Sequence, residues 1–183
     1  GMVRLYSVAD DNRVSGLAEL PGHGSPVTKA VFSHHGEFIV SSDFSGRMLV
    51  WRFENGVFSK KVDRQLLDGP IYDIAVRYEK GYLLVFCACD GGHLKTLRVD
   101  PAMNCEEESK EVHRYGVSAV GCNEECVVTS GFDFSVVLHT KGGTETFNSH
   151  QSAVGAVAVA PANHVGRLVF ASCSEDGRVA IVE

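Results

Sequence analysis

The sequence predicts an all-β fold: a β-propeller with four-stranded antiparallel blades, arranged as an incomplete, open ring. Three observations carry the prediction. Valine occurs 26 times and no long helical periodicity interrupts the chain. Short β-branched and aromatic runs alternate with turns of Gly, Asp, Asn and Ser, as expected for many short strands at regular spacing. Four segments open alike, at 26–32, 70–76, 116–122 and 153–159, with starts 44, 46 and 37 residues apart. That period is about the length of one blade.

Each opening run is followed by a second, at 38–42, 82–89, 126–130 and 168–173, and then by a turn rich in Asp and Gly. A third run follows at 47–52, 93–99, 134–139 and 178–182. Weaker, more polar segments such as 58–67 and 144–148 lie between repeats. They suit an edge strand with one side in water. The third-run pattern appears once more at 2–8, without its first two strands. The expected organisation is the end of one blade at 2–20, then blades at 21–67, 68–112, 113–148 and 149–183. Each sequence repeat runs edge strand, then three inner strands. A linear stack of blades leaves two apolar faces and two sheet edges uncovered, whereas propellers close rings of 4–8 blades. The orphan strand at 2–8 leads to the expectation of missing upstream sequence and of an arc that does not close alone.

Composition narrows the function classes. The chain has 183 residues, 17 Lys+Arg against 23 Asp+Glu, a net charge of −6 and 44 % hydrophobic residues. An acidic balance without a basic cluster argues against nucleic acid as a partner. The longest apolar stretch, 82–89, is far short of a bilayer span, so no direct membrane insertion is expected. Six cysteines, no N-x-S/T sequon and no visible signal peptide point to a reducing compartment. Cys87-x-Cys89 with His93 lacks C-x₂-C spacing, and alternation along a strand explains it without a metal. No cofactor is expected, and no P-loop or dinucleotide fingerprint occurs. Glu106-Glu107-Glu108 reads as a solvated turn or edge strand.

The repeats resemble WD-repeat blades, and the resemblance implies a buried polar set: a His before the first strand, a Ser or Thr in the second, an Asp in the turn and a Trp in the third. Such a set must be fully hydrogen-bonded. The fourth repeat offers His150, Ser172 and Asp176; the third offers His113, Thr129 and Asp133. The first offers His23, Ser41 and Trp51, with Ser45 where Asp is expected and Asp43 two positions early. The second has no His, and Asp90-Gly91 is its only turn signal. Leu97, His139 and Val182 stand where Trp is expected in the other three repeats. A His and an Asp recurring at one phase in several blades are architectural; one active site would not recur. No catalytic residue and no enzyme activity is expected.

These are the marks of WD repeats, and the resemblance goes further. H-G-S-P-V at 23–27 and W-R-F-E-N-G at 51–56 resemble the second blade of the Sec-thirteen family, the small propeller of the COPII outer coat and the nuclear-pore scaffold. His150 with Val154 and Ala158, then Ala160-Pro161 and A-S-C-S-E-D-G-R-V at 171–179, resemble its fifth blade. M-V-R-L-Y-S-V at 2–8 resembles the close of its first. The loss of Trp in three repeats and a short third-repeat loop mark a divergent member, and the related pore propeller Seh-one is an alternative.

The resemblance implies a six-bladed open ring that accepts a blade in trans from an α-solenoid partner, a Sec-thirty-one-like coat subunit or a scaffold nucleoporin. The role would be a non-enzymatic scaffold for ER-to-Golgi vesicle transport or nuclear pore assembly. The protein would be cytoplasmic, peripheral on ER and COPII vesicle membranes, or at the nuclear pore. The partner-contact residues nearest the gap would be Val3, Leu5 and Tyr6. A generic WD-repeat adaptor, such as a ubiquitin-ligase substrate receptor, is the competing reading.

Overall fold

A computed structural model describes residues 1–161 and 168–182. Among the described residues, seventeen strands form five antiparallel sheets in chain order. The first sheet pairs β1 (Met2–Val8) with β2 (Val14–Pro21). The second is a meander of β3 (Val27–Phe32), β4 (Phe38–Asp43), β5 (Arg47–Glu54) and β6 (Val57–Gln65). The third is formed by β7 (Ile71–Glu79), β8 (Tyr82–Cys89), β9 (His93–Val99) and β10 (Cys105–Glu111). The fourth contains β11 (Val117–Cys122), β12 (Cys126–Gly131), β13 (Val136–Thr140) and β14 (Gly143–Phe147). The fifth has three strands, β15 (Val154–Val159), β16 (Phe170–Ser174) and β17 (Val179–Val182). Among the described residues no helix is long and apolar enough to cross a membrane.

Burial explains the sequence pattern. The second strand of each four-stranded sheet lies between two neighbouring sheets, so both of its faces are covered. β4 (F-I-V-S-S-D) and β12 (C-V-V-T-S-G) are buried at every position, which suits an unbroken run of apolar and small residues better than alternation. The fourth strand faces water: six of the seven residues of β10 (C-E-E-E-S-K-E) are exposed. There Glu107 pairs with Lys95 at 2.6 Å and Glu106 with Arg98 at 3.3 Å, across to β9.

Inner strand packs on inner strand, β3 on β7, β7 on β11 and β11 on β15, so the sheets stand side by side as blades. Each joint has its own apolar core. Val3, Leu5 and Leu20 meet Ile39, Leu49 and Trp51 at the first joint. Val40, Val50 and Met48 meet Ile74, Val85 and Leu97 at the second. A β-bulge falls at the same place in all four inner strands, between Val27/Lys29, Ile71/Asp73, Val117/Ala119 and Val154/Ala156. A bulge adds twist and re-aims a side chain. At the second bulge, Asp73 pairs with Lys29 of the preceding blade at 2.9 Å and accepts from the Val120 N–H of the following one at 3.1 Å.

Candidate functional site

The three buried histidines each lie four residues ahead of an inner strand and reach into the hairpin that joins the second and third strands of the same sheet. In the first full blade His23 Nδ1 is 2.7 Å from Asp43 Oδ2, and its Nε2 is 2.8 Å from Ser41 Oγ. Trp51 Nε1–H donates to the same Ser41 oxygen at 3.3 Å. Donor count fixes the tautomer: indole N–H to hydroxyl oxygen, hydroxyl to His Nε2, His Nδ1–H to carboxylate. Asp43, whose side chain is fully buried, also accepts from Ser45 Oγ at 2.7 Å and from the Ser45 and Arg47 amides at 2.9 and 3.1 Å. Burial alone would raise the Asp43 pKa. The bonds from Ser45, His23 and Arg47 outweigh it and hold the carboxyl below its ordinary range.

The same relay recurs in the third full blade. His113 Nδ1 lies 3.0 Å from Asp133 Oδ1, and His113 Nε2 lies 3.0 Å from Thr129 Oγ1. In the fourth, His150 Nδ1 is 3.2 Å from Asp176 Oδ2, and Nε2 is 2.8 Å from Ser172 Oγ. The structure therefore brings together His23, Ser41 and Trp51; His113, Thr129 and Asp133; and His150, Ser172 and Asp176.

Three findings depart from the sequence reading. First, Asp43 stands two positions before the expected Asp, as the sequence shows, and yet completes the relay. The hairpin pairs Ser41 with Leu49 just as Thr129 pairs with Val137, so Asp43 corresponds to Gly131 and Ser45 to Asp133. A Cβ at Gly131 would lie 2.5 Å from His113 Nδ1 and 2.6 Å from Asp133 Oδ1. Glycine clears that space for a carboxylate arriving from two residues further on, whereas in the first full blade the carboxylate comes from the near position. Second, His139 does not end the relay: its Nε2–H donates to Thr129 Oγ1 at 3.0 Å, the role of Trp51. Burial, with the charges of Lys110 and His113, lowers the His139 pKa to about 4, which keeps the ring neutral.

Third, the second full blade replaces the whole set coherently. By position from the bulge, Leu67 stands for His23, Cys87 for Ser41, Cys89 for Asp43 and Leu97 for Trp51. These side chains share one apolar cluster, with Leu67 at its margin. Burial raises the Cys87 thiol well above its ordinary value and pushes Cys89 up to about 12. Both act as neutral, apolar fillers of that core. Among the described residues no group of three or more His, Cys, Asp and Glu is placed to hold a metal ion. Replacing every member at once avoids a half-satisfied network, which would be worse than an apolar core.

The partner-contact residues divide. Val3 and Leu5 are buried against the second sheet and are unavailable to a partner, because β1 turns that face onto Ile39, Leu49 and Trp51. Tyr6 is 60 % exposed, on a face shared with Val14 and Leu17. At the other end of the arc Val179 and Ile181 of β17 are each 68 % exposed. The sequence reading expected an arc with two uncovered apolar faces, and the structure identifies the residues on them.

Residues 14–52 and 143–182 match the family described as WD domain, G-beta repeat. Both segments are WD repeats. Each starts on an outer strand, β2 or β14, and ends on the third strand of the next sheet, β5 or β17. The WD repeat is thus offset by one strand from the physical blade, and the chain staples each sheet to the next. No curated protein sequence matches the chain. Among solved structures, it is similar to a chain of the mitotic checkpoint complex, with 18 % identity and a TM-score of 0.74 over 94 % of this chain and 54 % of that one. The RRP9 WD40 repeats give 18 % identity and a TM-score of 0.71, over 88 % and 49 %. The computationally designed Ika4 protein gives 20 % and 0.68, over 91 % and 96 %. The chain spans about half the length of the checkpoint and RRP9 chains. These likenesses establish the fold, a β-propeller arc.

Proposed function

We propose that this WD-repeat arc is a non-catalytic protein-interaction scaffold whose two end sheets each pack against a further β-sheet. The observation that carries the reading is the pair of uncovered apolar faces, Val179 and Ile181 at one end and Tyr6, Val14 and Leu17 at the other, each at least 60 % exposed. Every interior sheet buries both faces, so each end face calls for a further sheet against it, of this polypeptide or of a partner. Strand addition would supply main-chain hydrogen bonds as well as apolar cover. The His–Asp–hydroxyl relays do not support hydrolysis. All three His side chains are fully buried, and Ser41 and Thr129 have their oxygens already taken by Trp51 and His139.

The finer reading is a membrane-coat or nuclear-pore scaffold that takes a blade in trans from an α-solenoid. It is supported by the H-G-S-P-V, W-R-F-E-N-G and A-S-C-S-E-D-G-R-V strings. In that role the arc contributes rigidity to a lattice that bends a membrane, on the cytoplasmic surface of ER-derived vesicles or at the pore. The test is affinity purification of the full chain with mass-spectrometric identification of what binds, repeated with Tyr6→Asp and Ile181→Asp. The proposal predicts an α-solenoid subunit lost in both variants. Recovery of ubiquitin-ligase subunits alone would point to the adaptor reading, and a partner retained by both variants would remove the end faces from the account.

A further inference from the structure

The four hairpins between second and third strands, three of which carry the relays, also present one outward residue each, at a fixed place. Phe44, Asp90, Phe132 and Glu175 follow their second strands at the same position. The backbone N–H of each donates to the residue just before or at the head of the inner strand: Pro26 at 3.0 Å, Pro70 at 3.1 Å, Gly116 at 3.0 Å and Ala153 at 3.0 Å. Aromatic and acidic side chains therefore alternate from blade to blade at one end of the arc. Tyr72, the bulge residue of β7, stands between the two phenylalanines. Its ring is edge-on to Phe44, with centroids 6.5 Å apart at 88°, and to Phe132, 5.3 Å apart at 87°. Its hydroxyl donates to Asp90 Oδ1 at 3.4 Å.

Phe44 is 55 % and Phe132 39 % exposed. Among the described residues no Lys or Arg lies within ion-pair distance of Asp90 or Glu175. Gly116 joins the two kinds of group: a Cβ there would lie 3.0 Å from Phe132 Cδ2 and 3.2 Å from Asp90 Oδ1. Ring and carboxylate thus border one small space. Solvent-facing rings around a carboxylate with no cationic partner favour a positive group, through the ring quadrupole and the net charge together. The buried relays make the surface rigid. Asp43 holds the turn that carries Phe44, through Ser45 and Arg47, and Asp133 holds the turn that carries Phe132, through the Ser135 N–H at 3.2 Å. A surface fixed before binding loses less freedom on binding.

We infer that Phe44, Tyr72 and Phe132, with Asp90, form a docking site for an arginine or lysine side chain of a partner polypeptide. The site lies on the inner blades and is independent of how the end faces are covered. Fluorescence anisotropy of the full chain with a labelled Gly-Arg-Gly-Arg-Gly peptide tests it, with the citrulline version as the uncharged isostere. Saturable binding of the arginine peptide is expected, with the citrulline peptide at least fivefold weaker. Phe132→Leu and Asp90→Asn, both on the hairpin surface, are each expected to weaken binding about three- to fivefold. Phe53→Leu, near the opposite end of the second sheet, and Glu145→Gln, on the outer strand β14, are expected to leave it unchanged. Absence of saturable binding overturns the proposal. So does equal weakening by Asp90→Asn and Glu145→Gln, which would mean attraction to net acidity alone, or indifference to Phe132→Leu, or equal binding of the citrulline peptide.

Discussion

Moving the carboxylate of the first relay tests the network logic most sharply. Asp43 is fully buried and accepts four hydrogen bonds, from His23 Nδ1, Ser45 Oγ and the Ser45 and Arg47 amides. Asp43→Gly removes all four acceptor contacts and leaves a buried imidazole N–H with nothing to donate to. One buried donor without a partner costs about 1–3 kcal/mol, and a hydrogen bond to a charged group contributes about 1.5–3 kcal/mol. A net loss of about 3 kcal/mol follows. With a urea m-value of about 2 kcal/mol/M, the midpoint drops by roughly 1.5 M. The double variant Asp43→Gly with Ser45→Asp reproduces the Gly131/Asp133 arrangement, in which a carboxylate two residues later reaches the histidine at 3.0 Å. It is expected to recover at least half of the loss. Asp63→Ala serves as the control: Asp63 pairs with Arg47 and Lys60 in the open, where ion pairs contribute about 0–1 kcal/mol. An Asp43→Gly midpoint equal to wild type, or a double variant no better than the single, would refute the reasoning.

The other expectations are read by different probes. NMR titration of His139 should give a pKa of about 4. Because the unfolded ring binds its proton near pH 6.5, native stability should decline as pH falls from about 6.5 toward 4, and His139→Trp should flatten that decline. Asp43 is held below its ordinary value in the folded state, so its stabilisation is complete above about pH 4 and is lost as pH falls through the native pKa; Asp43→Asn should reduce the acid sensitivity in urea titrations below pH 4. Leu67→His should lower stability by about 2 kcal/mol, since Cys87 and Cys89 offer the ring weak partners; adding Cys87→Ser and Cys89→Asp should return part of it. Iodoacetamide labelling followed by mass spectrometry should modify exposed Cys173 first and buried Cys87 and Cys89 last.

The sheets were legible because period-2 runs separated by Asp/Gly turns recur at a nearly constant interval. The strands at 2–8, 47–52 and 93–99 are seen at Met2–Val8, Arg47–Glu54 and His93–Val99. The relay residues were legible where a motif names them, as at His150, Ser172 and Asp176. Asp43 was seen two positions early, but alignment by residue type cannot see that a carboxylate there reaches the same imidazole when the intervening turn keeps its length. His139 was read as a loss because it is not Trp, although the relay requires only an N–H at that point. The apolar substitution in the second full blade was invisible for a related reason: Leu67, Cys87 and Cys89 are ordinary core residues until the register aligns them with His23, Ser41 and Asp43. Which faces of β1 and β17 remain bare depends on neighbours in space, and no local pattern encodes that.

Hydrogen exchange on the chain, shown to be monomeric by light scattering, tests the open arc directly. Amides on the unpaired edges of β1 and β17 should exchange orders of magnitude faster than those of β4, β8 and β12, which are bonded on both sides. Protection of Val179–Val182 equal to that of β12 in the monomer would mean that the blades already close on themselves.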